Sequence, residues 1–104
     1  MTDLKILDLS GCEPLLEGAS EFLRMWNRPE GPVTCFIDPV PIGADPFVFG
    51  LALMDCVRHG ANAYAQAVGA PVEEAMARIL EGFDAERENP TDTPTALTGQ
   101  GGLN

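Results

Sequence analysis

The segment DCVRHGANAY, residues 55–64, places four side chains that can do chemistry close together. Asp55 and His59 are four residues apart, so on a helix they can form an ion pair, act as a general-base pair or supply two ligands of a metal. Arg58 can bind an anion, and Tyr64 adds a phenol. The segment therefore raises the hypothesis of a small-anion- or metal-binding enzyme.

Helical geometry argues against catalysis by this segment. A rotation of about 100° per residue sends Cys56 and His59 in directions about 60° apart, which disfavours a nucleophilic Cys-His pair. No third ligand follows Asp55 and His59 at a diagnostic metal spacing. The sequence therefore predicts no catalytic residue, no metal site and no cofactor, and Asp55 and His59 are interpreted as part of a solvated helix face.

Arg58 is the polar residue with the strongest need for a partner. It falls at the edge of the apolar arc of its helix, so its guanidinium must reach solvent or meet a carboxylate. Asp55, three residues earlier, is the nearest candidate, and Asp84 or Glu88 on the second helix could also reach it. The alternative is a ligand-binding pocket around Arg58 and His59, formed by Arg24, Trp26, Asp55, Arg58, His59 and Tyr64.

Two apolar segments predict a β-hairpin. EFLRMW (21–26) and VTCFID (33–38) are rich in β-branched and aromatic residues, and the turn formers NRPEGP separate them. Apolar residues alternate onto both faces of these strands, so neither face is simply solvated. LKILDL (4–9) is compatible with a third, N-terminal strand.

Two helices follow the hairpin. Asp45 is predicted to cap the first helix, with Pro46 at its first position, and Gly69 ends it after Val68. The second helix begins after Pro71 and stops at the Asn-Pro pair of residues 89–90. Apolar side chains cover more than half of the first helix, so it must be covered on more than one side.

These elements predict an α+β fold in which a β-hairpin packs on two antiparallel helices. Residues 1–90 form a single small domain, and residues 91–104, rich in Thr, Gly and Pro, form a flexible tail. A two-stranded sheet with open edges is marginally stable by itself. Pairing of two hairpins across a twofold axis would complete the sheet, which predicts a homodimer.

The composition restricts the classes of partner. The 16 Asp and Glu outnumber the 6 Lys and Arg, and the net charge of −10 repels nucleic-acid phosphates and anionic lipids. No apolar run approaches the roughly 18 residues of a membrane span, and the N-terminus lacks the features of a signal peptide. The 3 cysteines share no CxxC spacing, which favours reduced thiols. A cytoplasmic protein that binds neither nucleic acid nor membrane is expected.

Three segments resemble a family of short bacterial proteins known as a domain of unknown function. They are EFLRMW, then FGLALMDCVRHGANAYA from 49 to 65, and RILEGFDAERENPTD from 78 to 92. The likeness covers residues 21–92 and depends on the Arg58–His59 pair and on Tyr64. It implies a bacterial, soluble, uncharacterised protein, and it transfers no catalytic residue.

The leading functional prediction is a homodimeric protein-interaction or regulatory module without catalysis, able to bind a protein partner. It follows from the doubly apolar hairpin and from the wide apolar arc of the first helix. The alternative is the small-anion- or metal-binding enzyme with its pocket around Arg58 and His59.

Overall fold

The computed structural model describes residues 4–91. These residues contain α1 (Glu13–Leu16), β1 (Leu23–Trp26), β2 (Thr34–Ile37), α2 (Pro46–Val68) and α3 (Val72–Glu88). A β-hairpin combined with helices confirms the α+β class. Except for Thr91, the predicted tail lies outside the described residues.

The hairpin is shorter than the two segments that predicted it. β1 and β2 pair antiparallel, with Leu23 opposite Ile37 and Trp26 opposite Thr34. The candidate strand at 4–9 has no regular secondary structure, and its apolar side chains are exposed. Within the described residues the sheet therefore has two strands and two open edges.

Both ends of α2 have the predicted signals. The Asp45 carboxylate accepts a hydrogen bond from the backbone N–H of Phe47 at 3.0 Å, which satisfies one of the free donors of the first turn. Gly69 has φ 68°, the left-handed conformation that glycine adopts without strain, and its N–H bonds to the carbonyl of Ala65. These two local features fix the bounds of α2.

α2 and α3 pack against each other through one ridge of each helix. On α2 the buried and half-buried residues recur every fourth position, at Leu53, Val57, Ala61 and Ala65, which is one of the two ridges that helices use for packing. A Cβ built on Gly60 would lie 3.9 Å from Cδ1 of Ile79, so α3 closely approaches α2 there. The short 69–71 connection makes the two helices antiparallel, as predicted.

The hairpin does not lie over the helices within one chain. Among the described residues, no Cα of β1 or β2 comes within 8 Å of a Cα of α2 or α3. The aromatic contact between them joins Phe22, just before β1, to Phe49, edge to face with ring centroids 6.3 Å apart. The 38–45 loop connects β2 to the first turn of α2, so the hairpin meets the helices at that end.

The single chain has almost no core. Among residues 4–91, only Val57 at 8% exposure and Ala61 at 0% are buried. A chain of this length usually buries roughly two-thirds of the surface of its extended form. The fold therefore leaves apolar side chains of α2, α3 and the hairpin in contact with solvent.

Candidate functional site

Asp55 and Arg58 form an ion pair on the exposed surface of α2. Nη1 of Arg58 donates to Oδ1 of Asp55 at 3.2 Å, and both side chains are largely exposed. This confirms Asp55 as the partner of Arg58. An exposed ion pair of this kind contributes only about 0–1 kcal/mol to the stability of the fold. The fold therefore depends little on this ion pair.

His59 lies beside the Asp55–Arg58 pair on the α2 surface, and Tyr64 lies away from it. Both are exposed, and five positions separate them along the helix. His59 is adjacent to the Asp55–Arg58 pair in rotation, whereas Tyr64 points toward the opposite side of α2. The structure therefore brings Asp55, Arg58 and His59 together on one side and leaves Tyr64 apart from them.

Arg24 and Trp26 belong to β1 and not to the α2 surface. Nη2 of Arg24 donates to Oε1 of Glu21 at 2.6 Å, and Nε donates to Oε2 at 3.0 Å. These hydrogen bonds, together with the charge of Glu21, raise the pKa of Arg24 above its ordinary value. Trp26 is half-buried opposite Thr34. The six residues of the predicted pocket thus fall into separate groups, and ligand binding by them stays a prediction.

An apolar cleft that the sequence did not predict lies between the hairpin and the start of α2. Its volume is about 290 Å³, and its walls include Ile37, Pro39, Ile42 and Phe49. Known small-molecule pockets occupy roughly 300–1,000 Å³ and carry a few convergent polar groups. The charged residue of this cleft is Asp45, whose carboxylate already caps α2. The apolar residues inside the Pro-rich loop were the available signal for this cleft.

A strip of small residues follows one side of α2, at Ala52, Cys56, Gly60, Ala63 and Ala67. Cys56, Ala63 and Ala67 of this strip are exposed. α3 reaches the strip at Gly60, where a Cβ would lie 3.9 Å from Cδ1 of Ile79, because Gly60 borders the neighbouring ridge through which α2 contacts α3. Among the free thiols, Cys12 and Cys35 are half-buried and Cys56 is exposed.

Exposed apolar side chains are the dominant feature of the surface. On α2, Phe47 is 69% exposed and Leu51 is 55% exposed; on α3, Leu80 is 38% exposed and Phe83 is 54% exposed. Helical rotation places Phe47 and Leu51 on one side of α2, and Leu80 and Phe83 on the edge of α3 that borders that side. We name these four residues the helical apolar patch.

Two further features restrict what the described residues offer. Residues 4–91 contain no group of three or more His, Cys, Asp and Glu side chains arranged to hold a metal ion. Within the same residues, no helix combines the length and the hydropathy that crossing a bilayer requires. The fold and its surface therefore define a small α+β domain with many exposed apolar side chains.

The particular family follows from comparison with known proteins. The chain belongs to the family Domain of unknown function (DUF5076), whose model matches residues 16–91, in agreement with the resemblance predicted for residues 21–92. The chain is also similar to a solved structure from the photosynthetic bacterium Rhodopseudomonas palustrus CGA009, described provisionally as a pyruvate dehydrogenase. The two sequences are 34% identical, the match covers 96% of this chain and 100% of that one, and the TM-score is 0.66. No curated protein matches the chain significantly.

Proposed function

We propose that this protein is a homodimeric interaction or regulatory module that acts by binding and without catalysis. The observation that carries the proposal is the near absence of a core within one chain: Val57 and Ala61 are the buried residues of the described range. Apolar side chains left in water forfeit roughly 1.5–3 kcal/mol each compared with full burial. A second chain can supply the missing contacts.

The open hairpin supports the same proposal. Met25, Val33 and Phe36 are exposed although each belongs to the hairpin or borders it. Two strands with free edges and apolar faces are a recognised template for pairing with another chain. Both the hairpin and the helices thus offer surface to a partner, and the strong acidity of the chain favours a protein partner over nucleic acid or membrane.

The proposal is tested by measuring the solution mass of the full chain. Light scattering over a hundredfold dilution from about 100 µM covers micromolar dissociation constants. We expect the mass of a dimer at the high end. If dilution dissociates the dimer and folding is coupled to dimerisation, the helical circular dichroism should fall together with the mass. A monomer mass throughout the range, in a sample that retains its helical circular dichroism, would contradict the homodimer.

A second candidate function uses the side of α2 that carries Asp55, Arg58 and His59. The observation that favours it is that these three residues share one accessible face. The pyruvate dehydrogenase description of the relative fits this candidate poorly, because Arg58 and Arg24 each already contact a carboxylate and both are exposed to water. A small carboxylate substrate needs donors that are free and shielded from solvent.

The ligand-binding candidate makes a distinct prediction about thermal stability. If it is right, zinc ion, inorganic phosphate or pyruvate at millimolar concentration raises the melting temperature, since a ligand that binds only the folded state stabilises it. His59→Ala would abolish a rise caused by zinc, and Arg58→Ala a rise caused by either anion. For the interaction module we expect no rise with any of the three, and the variant Arg78→Ala serves as a surface control.

A further inference from the structure

We propose that a second copy of this chain docks on the helical apolar patch with its α2 antiparallel to the first, the twofold axis passing between Asp55 and Arg58. Each Arg58 then contacts the partner's Asp55. This inference rests on the proposed homodimer and specifies its surface. Three features of the described residues support it: the charge pattern, the distribution of side-chain size and the area of the face.

The charge pattern of α2 is self-complementary. Asp55 and Arg58 lie on either side of the middle of α2, which runs from Pro46 to Val68. An antiparallel copy related by a twofold axis at that point brings each arginine level with the aspartate of the other helix. Two copies with a net charge of −10 each repel one another, so a contact face in which the acid is matched by a base is favoured.

The distribution of large and small side chains along this side of α2 also suits antiparallel contact. The first half carries the bulky exposed residues Phe47 and Leu51, and the second half carries Asn62 and Ala65 on the same side. In the antiparallel arrangement Leu51 lies level with the partner's Asn62, and Phe47 lies within one residue of the partner's Ala65. Large side chains opposite small ones can interdigitate without voids.

The available area matches what a stable dimer needs. α2 is about 35 Å long at 1.5 Å per residue, and two helices about 8–10 Å apart present a face about 20 Å wide. This side of the helix pair thus offers roughly 700 Å², near the roughly 800 Å² that each partner contributes to a standard interface.

The test mixes two single-charge variants of the full chain. Asp55→Arg puts two positive charges at the proposed axis of each copy, and Arg58→Asp puts two negative charges there. Each variant alone is expected to dimerise at least about tenfold more weakly than the natural chain, because like charges meet at the axis. When the two variants are mixed at equal concentration, heterodimers should make up roughly nine-tenths of all dimers instead of the statistical half. Native mass spectrometry measures this share.

A matched control comes from α3. Arg78 and Glu81 form an exposed ion pair with the same three-residue spacing, away from the patch. Mixing Arg78→Asp with Glu81→Arg should give the statistical half of heterodimers. Statistical mixing of the Asp55 and Arg58 variants, with the natural chain still a dimer, would overturn this docking geometry while leaving the proposed function in place. A natural chain that is monomeric would overturn both.

Discussion

Replacing Ala61 by aspartate is expected to unfold the helical pair or to leave it barely folded. Ala61 of α2 is fully buried, on the ridge that packs against α3. No charged side chain is buried among the described residues, so none could pair with a carboxylate there. An unpaired carboxylate at such a site costs about 3–5 kcal/mol, against a total stability of about 5–15 kcal/mol for a typical domain. Urea unfolding followed by far-ultraviolet circular dichroism should show loss of the folded baseline or a midpoint near zero urea.

Ala63→Asp is the matched control for this change. Ala63 lies two residues further along the same helix and is exposed, so the substitution carries the same helix-propensity cost of about 0.5–0.7 kcal/mol without burying a charge. We expect its unfolding midpoint to stay close to that of the natural chain. Equal midpoints for the two variants would show that the α2–α3 contact is not formed as described.

The bounds of the helices could be predicted from the sequence because their signals are local. Asp45 and Pro46 at one end of α2 and Gly69 at the other act on the backbone within one turn, and no distant contact is needed to produce their effect. The same holds for α3, which begins directly after Pro71 and ends directly before Asn89, as predicted. Short-range capping and turn chemistry therefore gave the elements and the α+β class.

The arrangement of the elements was harder to predict because it depends on contacts between distant residues. Alternation of apolar residues in the hairpin indicated that both faces need a cover, but it does not reveal whether the cover comes from the same chain. In the structure the hairpin touches the helices chiefly through Phe22 and Phe49, and its exposed Phe36 and Met25 stay uncovered within one chain. The sequence pattern of apolar residues is the same whether a face is covered by its own chain or by another chain.

The candidate site shows the same division between local and distant information. The Asp55–Arg58 pair was predictable, because residues three apart on a helix are neighbours whatever the rest of the fold does. Association of Arg24 and Trp26 with that pair was not determined by any local rule, and the structure keeps them on the hairpin. The cleft at Ile37 and Phe49 was missed because it forms where a loop meets two elements.

Replacing both Phe47 and Leu51 by glutamine is expected to convert the proposed dimer into a monomer. The two side chains are 69% and 55% exposed in the single chain, so the substitutions remove little burial within one chain. The double substitution removes four apolar side chains from the docked dimer, two from each copy. Each loss weakens the binding free energy by about 1 kcal/mol or more, so the dissociation constant rises about a thousandfold. Light scattering at 10–100 µM should then give the monomer mass.

The control for this change is the pair Tyr64→Gln and Val68→Gln. Tyr64 and Val68 have the same four-residue spacing, lie on the same helix and are 61% and 69% exposed, but they point about 100° away from Phe47 and Leu51. The control variant should remain a dimer, and its melting temperature should still rise with protein concentration, as it does when association and folding are coupled. If the control dissociates while the Phe47 and Leu51 variant stays dimeric, the second copy docks on the part of α2 that carries Tyr64 and Val68. The pair of variants thus separates the existence of the dimer from the choice of its surface.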